Sequence, residues 1–141
     1  MQEKTTGELE RELSSCASFR DFVRDHPDLG CPMELHEQLE RAIEKSGMRR
    51  AEVLQRSGLN AIYGYQVLSG KRRPSRDVLL CLCLGLRMQP EQAQALLKST
   101  GYAPLYVKNR RDSAIYYALR HGHSAVTLNQ TLFDLEEPTL L

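Results

Sequence analysis

Apolar residues recur every three or four positions along most of this chain, and Gly, Pro, Ser and Asn interrupt them at short intervals. That period places one apolar stripe on each of a series of short helices. Leu35, Leu39, Ala42 and Ile43 predict a helix from 33 or 34 to 45, closed by Ser46-Gly47. Val53 and Leu54 are the buried positions of a second helix over 50–57. A third covers 61–68, opened by an Asn60 cap and closed by Ser69-Gly70. Ser75 caps a fourth over 76–86, carrying Val78, Leu79 and Leu82, and Pro90 starts a fifth over 91–99 that Gly101 stops.

Outside these five, the pattern predicts helices over 6–14 (Leu9, Leu13) and 18–24, with Ser18 as cap and Phe19, Phe22 and Val23 on one edge. Leu29-Gly30-Cys31-Pro32 reads as a linker. After a connector over 102–107, a helix over 111–120 presents Ile115, Tyr116 and Leu119. A last helix, capped by Ser124 and reaching 135, is expected to bury Val126, Leu128 and Leu132. The expected architecture is all-α: a helical extension over 1–32, a five-helix unit over 33–101 and a helical hairpin over 102–141.

Composition agrees: Trp is absent and Leu, Ala, Glu, Arg and Gln abound, a helix-forming mixture. At 141 residues and 41% apolar, the chain has material for one good core. The longest apolar run, 78–86, is far too short to span a bilayer, and the first residues lack a signal core, so a cytoplasmic protein without membrane contact is expected. Cys16, Cys31, Cys81 and Cys83 have no zinc-type spacing and read as reduced, buried thiols.

The formal charge of +1 is unevenly spread. Residues 1–32 hold four basic and seven acidic side chains, and 102–141 hold four of each. Residues 45–76 hold eight basic ones (Lys45, Arg49, Arg50, Arg56, Lys71, Arg72, Arg73, Arg76) against Glu52 alone. A phosphate-binding footprint needs that kind of concentration.

Within it lies Gly-Leu-Asn-Ala-Ile-Tyr-Gly-Tyr-Gln-Val-Leu-Ser-Gly-Lys-Arg-Arg-Pro-Ser-Arg, residues 58–76. A short helix meets a second across Gly58, and a basic turn follows: the order of a helix-turn-helix, whose second helix enters the major groove. Residues 34–97 resemble the DNA-binding domain of the phage-repressor-like family, the Cro and lambda-repressor type. The run Ser-Gly-Lys-Arg-Arg-Pro-Ser at 69–75 is the most specific part of the match. The resemblance implies sequence-specific binding of double-stranded DNA by a transcriptional regulator. It places base contacts on Asn60, Ala61, Ile62, Tyr65 and Gln66, and phosphate contacts on Arg50, Lys71 and Arg72; the adjacent Arg73 joins the phosphate set. Chemically, Gln66 suits the N6/N7 edge of adenine, and Ala61 or Ile62 suits a thymine methyl.

Several positions depart from that family. Arg49 is a poor cap, Leu54 stands where a small residue lets the two helices approach, Ser57 replaces an apolar residue, and Gly64 occupies a site usually held by Ile or Val. Tyr63 or Leu54 is expected to take the volume that Gly64 leaves. A second reading makes this a helix-turn-helix repurposed for protein contact through Ile62, Tyr63 and Tyr65, since fold alone does not fix function.

Elsewhere, His121 and His123 flank Gly122 and read as solvated loop histidines, with Asp112 nearby. No catalytic constellation, metal site or cofactor-binding loop is recognisable, so neither an enzyme nor a cofactor is expected. The cations of Lys108-Asn109-Arg110-Arg111 oppose the dipole of the helix they begin, and Asp112 is the expected local answer. Among the apolar residues of 102–141, Tyr117 and Phe133 are the expected exposed pair. A homodimer or a protein partner is expected to use this region.

Overall fold

The computed structural model describes residues 5–26 and 33–141, which hold nine helices and no strand. The chain divides into two compact units, 1–32 and 33–141. The linker over 29–32, Cys31 included, lies outside the described residues.

In the first unit, α1 (Thr6–Ser15) opens with a capping box between Thr5 and Glu8, and α2 (Phe19–Asp25) is capped by Ser18. Phe19 and Phe22 stack with ring centroids 6.3 Å apart. His26 Nε2 lies 2.8 Å from the Glu12 carboxylate, while Nδ1 donates to the Phe22 carbonyl at 2.8 Å.

The second unit contains α3 (Leu35–Ser46), α4 (Arg50–Ser57), α5 (Ala61–Leu68), α6 (Arg76–Gly85), α7 (Pro90–Ser99), α8 (Arg110–Arg120) and α9 (Ala125–Asp134). After Asp77, α6 has no polar residue, so it is apolar all round and lies at the centre. Leu79 through Leu86 are all buried, including Cys81 and Cys83. Burial pushes both thiols up to about 12, which leaves them protonated and inert. Cys16, in the first unit, is only half-buried.

Around α6, α4 makes the most extensive contact, and α8 and α9 also pack against it. The α4–α6 approach explains Ser57. A Cβ on Gly85 would lie 2.1 Å from Ser57 Oγ and 2.6 Å from the Val53 carbonyl, so the two backbones nearly touch. Ser57 is small enough for the gap, and its hydroxyl donates to Val53 O at 2.7 Å, which satisfies the buried oxygen.

Residues 102–141 share this core: Leu105, Ile115, Leu119, Leu128, Leu132 and Leu140 are buried in the same cluster as Leu39, Val53 and Leu79. A reciprocal pair of ion bridges fastens α8 to α6. Both helices carry an Arg-Asp dipeptide in the first turn, 76–77 in α6 and 111–112 in α8. Arg76 Nη2 lies 3.0 Å from Asp112, and Arg111 Nη2 lies 3.1 Å from Asp77. Asp112 therefore answers Arg76 rather than Arg110 or Arg111, correcting the local pairing expected from the sequence. Its oxygens also accept from the Tyr106 amide at 2.9 Å. Arg110 reaches instead to Glu137 at 3.0 Å and to the Leu135 carbonyl.

Val126 is also corrected: it is 65% exposed. Positions 126 and 128 lie about 200° apart around a helix, so they cannot share a face. Ala125, Leu128 and Leu132 take the inward one. Tyr117 and Phe133 are exposed, as expected, and Tyr106 joins them.

Candidate nucleic-acid interface

Gly58 makes the corner between α4 and α5. Its φ of 72° is the left-handed conformation in which glycine meets no Cβ penalty, and its amide donates to Gln55 O at 3.2 Å. Asn60 then caps α5 by accepting from the Tyr63 amide at 3.3 Å. This commits the Asn60 oxygen to the fold.

The α4–α5 contact is built with sizes reversed. A Cβ on Gly64 would lie 2.5 Å from Leu54 Cδ2. Leu54 thus fills the space that Gly64 leaves, whereas Tyr63 is half-buried against the core. The inward face of α5 is Gly64, Val67 and Leu68. Its outward face carries Ala61, Ile62 and Tyr65, with Ile62 72% exposed.

A tight turn follows α5. The amides of Lys71 and Arg72 both donate to the Gln66 carbonyl, at 2.9 and 3.2 Å. This folds the basic loop back beneath the end of the helix and brings Arg72 Nε within 2.9 Å of Gln66 Oε1. Gln66 is half-buried and hydrogen-bonded, not free between flanking cations as its sequence position suggests. Arg73 Nη2 donates to Thr100 O at 2.5 Å, and its guanidinium sits 4.6 Å from the Tyr102 ring centroid. The Tyr102 hydroxyl in turn donates to the Pro74 carbonyl at 2.6 Å, anchoring the end of the loop.

Arg50 begins α4, where Arg49 supplies no side-chain cap. Its Nε donates to Glu40 at 3.1 Å, and a second bond joins the same carboxylate. Those bonds and the Glu40 charge hold the guanidinium above its ordinary value. An open groove beside it is lined by Glu40, Glu44, Arg49, Arg50 and Tyr65 among others, so both signs of charge meet there.

The eight cations of 45–76 thus divide. Arg76 is held by Asp112 and by the carbonyls of Ala103 and Pro104. Arg56 donates to the carbonyls of Leu84, Gly85 and Gly122, where burial and then Arg87 pull its pKa below the ordinary value. Both are structural. Arg50, Arg72 and Arg73 are exposed but engaged, whereas the Lys45, Arg49 and Lys71 side chains make no hydrogen bond or ion pair among the described residues.

No sequence signal pointed to Glu40, which lies ten residues before Arg50, or to Tyr102 beneath Arg73. The Gln66–Arg72 bond follows from the turn geometry. His121 is exposed, as expected, and His123 is half-buried; their rings lie 4.1 and 5.8 Å from that of Tyr117.

Comparison of the chain with family models, with curated proteins and with solved structures finds no match. No helix among the described residues is long and apolar enough to cross a membrane.

Proposed function

We propose that this chain binds double-stranded DNA as a transcriptional regulator, laying α5 in the major groove. On this reading α3 to α7 form a helix-turn-helix unit of the phage-repressor-like type. The observation that carries it is the outward face of α5: Ala61, Ile62 and Tyr65 project from a helix anchored by Gly64, Val67 and Leu68, with Lys71 and Arg72 immediately beyond its end. Side chains of this kind touch base edges, while the cations position the helix on phosphates. Arg50 and Arg73 contribute phosphate contacts once the Glu40 carboxylate and the neutral Thr100 carbonyl give them up to phosphate. Homodimerisation or a protein partner, using the exposed Tyr117 and Phe133 of 102–141, supplies the second half-site.

A titration of labelled random duplexes by fluorescence polarisation tests this. The expected result is binding whose logarithm falls linearly with the logarithm of salt concentration, by about 0.9 per phosphate neutralised. Absence of binding at low salt refutes it. That outcome favours the second reading, a protein-interaction module, for which the specific observations are the 72% exposure of Ile62 and the two carboxylates beside Arg50.

A further inference from the structure

The side chains of Gln66 and Arg72 act as one unit. A guanidinium has only donors, so the Gln66 atom facing Arg72 Nε at 2.9 Å must be the carbonyl oxygen. The backbone fixes the pair further, because the Arg72 amide donates to the Gln66 carbonyl at 3.2 Å. With its oxygen engaged, Gln66 offers the two N–H groups of Nε2. Arg72 still offers those of its terminal nitrogens. The coupled pair therefore presents donors.

We infer that the Gln66–Arg72 pair reads guanine, through the O6 and N7 acceptors of its major-groove edge. This rests on the proposed DNA-binding function and changes what Gln66 and Arg72 do within it, moving Arg72 from a phosphate to a base edge. A free glutamine matches adenine because it accepts from N6 while donating to N7. Here the oxygen is drawn toward a cation. Its remaining lone pair sits beside a guanidinium, which would be set against the donor amino group of adenine or cytosine. Guanine offers two acceptors side by side and meets no opposing donor. Thymine offers only O4, so it matches half of the set.

The test is selection of bound duplexes from a random pool by the full chain, followed by titration of the selected site. One guanine is expected in each half-site, and its replacement by adenine should weaken binding about 5- to 150-fold, the range of one bidentate pair. Replacing that guanine with 7-deazaguanine, which removes N7, should weaken it as well. Arg72→Ala releases the Gln66 oxygen, so the preference at that position should move toward adenine. Uniform weakening of all sequences in Arg72→Ala would show that Arg72 touches phosphate only, and would overturn the inference. So would an adenine preference in the unaltered chain that disappears in Gln66→Ala. Both outcomes leave DNA binding intact. Failure to bind any duplex at low salt removes the DNA-binding reading, and this inference with it.

Discussion

Two cationic runs, Lys71-Arg72-Arg73 and Lys108-Asn109-Arg110-Arg111, look alike on paper and end differently in the fold. The second is absorbed at its two arginines. Arg110 is spent on Glu137 and the Leu135 carbonyl, and Arg111 on Asp77 and the carbonyls of Pro138 and Thr139. The first meets no carboxylate: Arg72 bonds a neutral amide, Arg73 a carbonyl and an aromatic face, and Lys71 stays unengaged. A neutral acceptor leaves a cation's charge uncancelled, whereas a carboxylate cancels it. Charge count along a sequence is thus a poor guide to the field at a surface, and the position of the acids decides it.

The largest effect is expected at the carboxylate that follows the absorbed run and serves Arg76 instead. Asp112→Ala strands Arg76 and the Tyr106 amide, and should cost about 3–5 kcal/mol in chemical denaturation, as expected for removing one partner of a buried pair. A loss near zero would mean that the bridges are surface ornaments.

The size reversal that holds α5 comes next. Leu54→Ala should cost about 2–5 kcal/mol and Gly64→Val about 1–3 kcal/mol. The double variant should cost at least 0.5 kcal/mol less than their sum, because each change opens or fills the other's space, roughly as packed neighbours couple. Strict additivity would show that the two side chains do not share a gap.

Smaller effects separate the runs directly. Lys71→Ala should change stability by less than about 0.5 kcal/mol yet lower the salt dependence of duplex binding by about one phosphate. Arg110→Ala should do the reverse, losing about 0.2–1 kcal/mol of stability with the salt dependence unchanged. Equal salt effects from both variants would mean that the fold does not distinguish the runs. The smallest effect is expected for Glu40→Gln, which weakens the grip on Arg50. Duplex affinity should rise about two- to threefold, the modest scale of an exposed pair.

Much of the helical layout was legible because it is written locally. Asn60, Ser18, Ser75 and Ser124 each cap a helix where the sequence places them, and α4 and α5 end where Gly58 and Ser69-Gly70 predict. The Gly64–Leu54 exchange was also within reach, since two departures of opposite size faced each other. Partners distant along the chain were not legible. Asp112 is 36 residues from Arg76, and nothing in the spacing chooses Arg76 over the adjacent Arg111. Val126 misled because apolar character alone does not fix a face. Within the candidate interface, residue types carried the outward face of α5 but not the bonding of Gln66, which depends on how the 69–73 turn closes.

The exchanged Arg-Asp dipeptides have a practical consequence for anyone seeking a minimal version of this protein. Trimming the chain after Gly101 would delete Arg111 and Asp112, orphan Arg76 and Asp77, and strip the cover from the apolar flank of α6. Such a fragment should be aggregation-prone despite containing every candidate contact to a duplex. The smallest independent piece should extend well beyond α3 to α7.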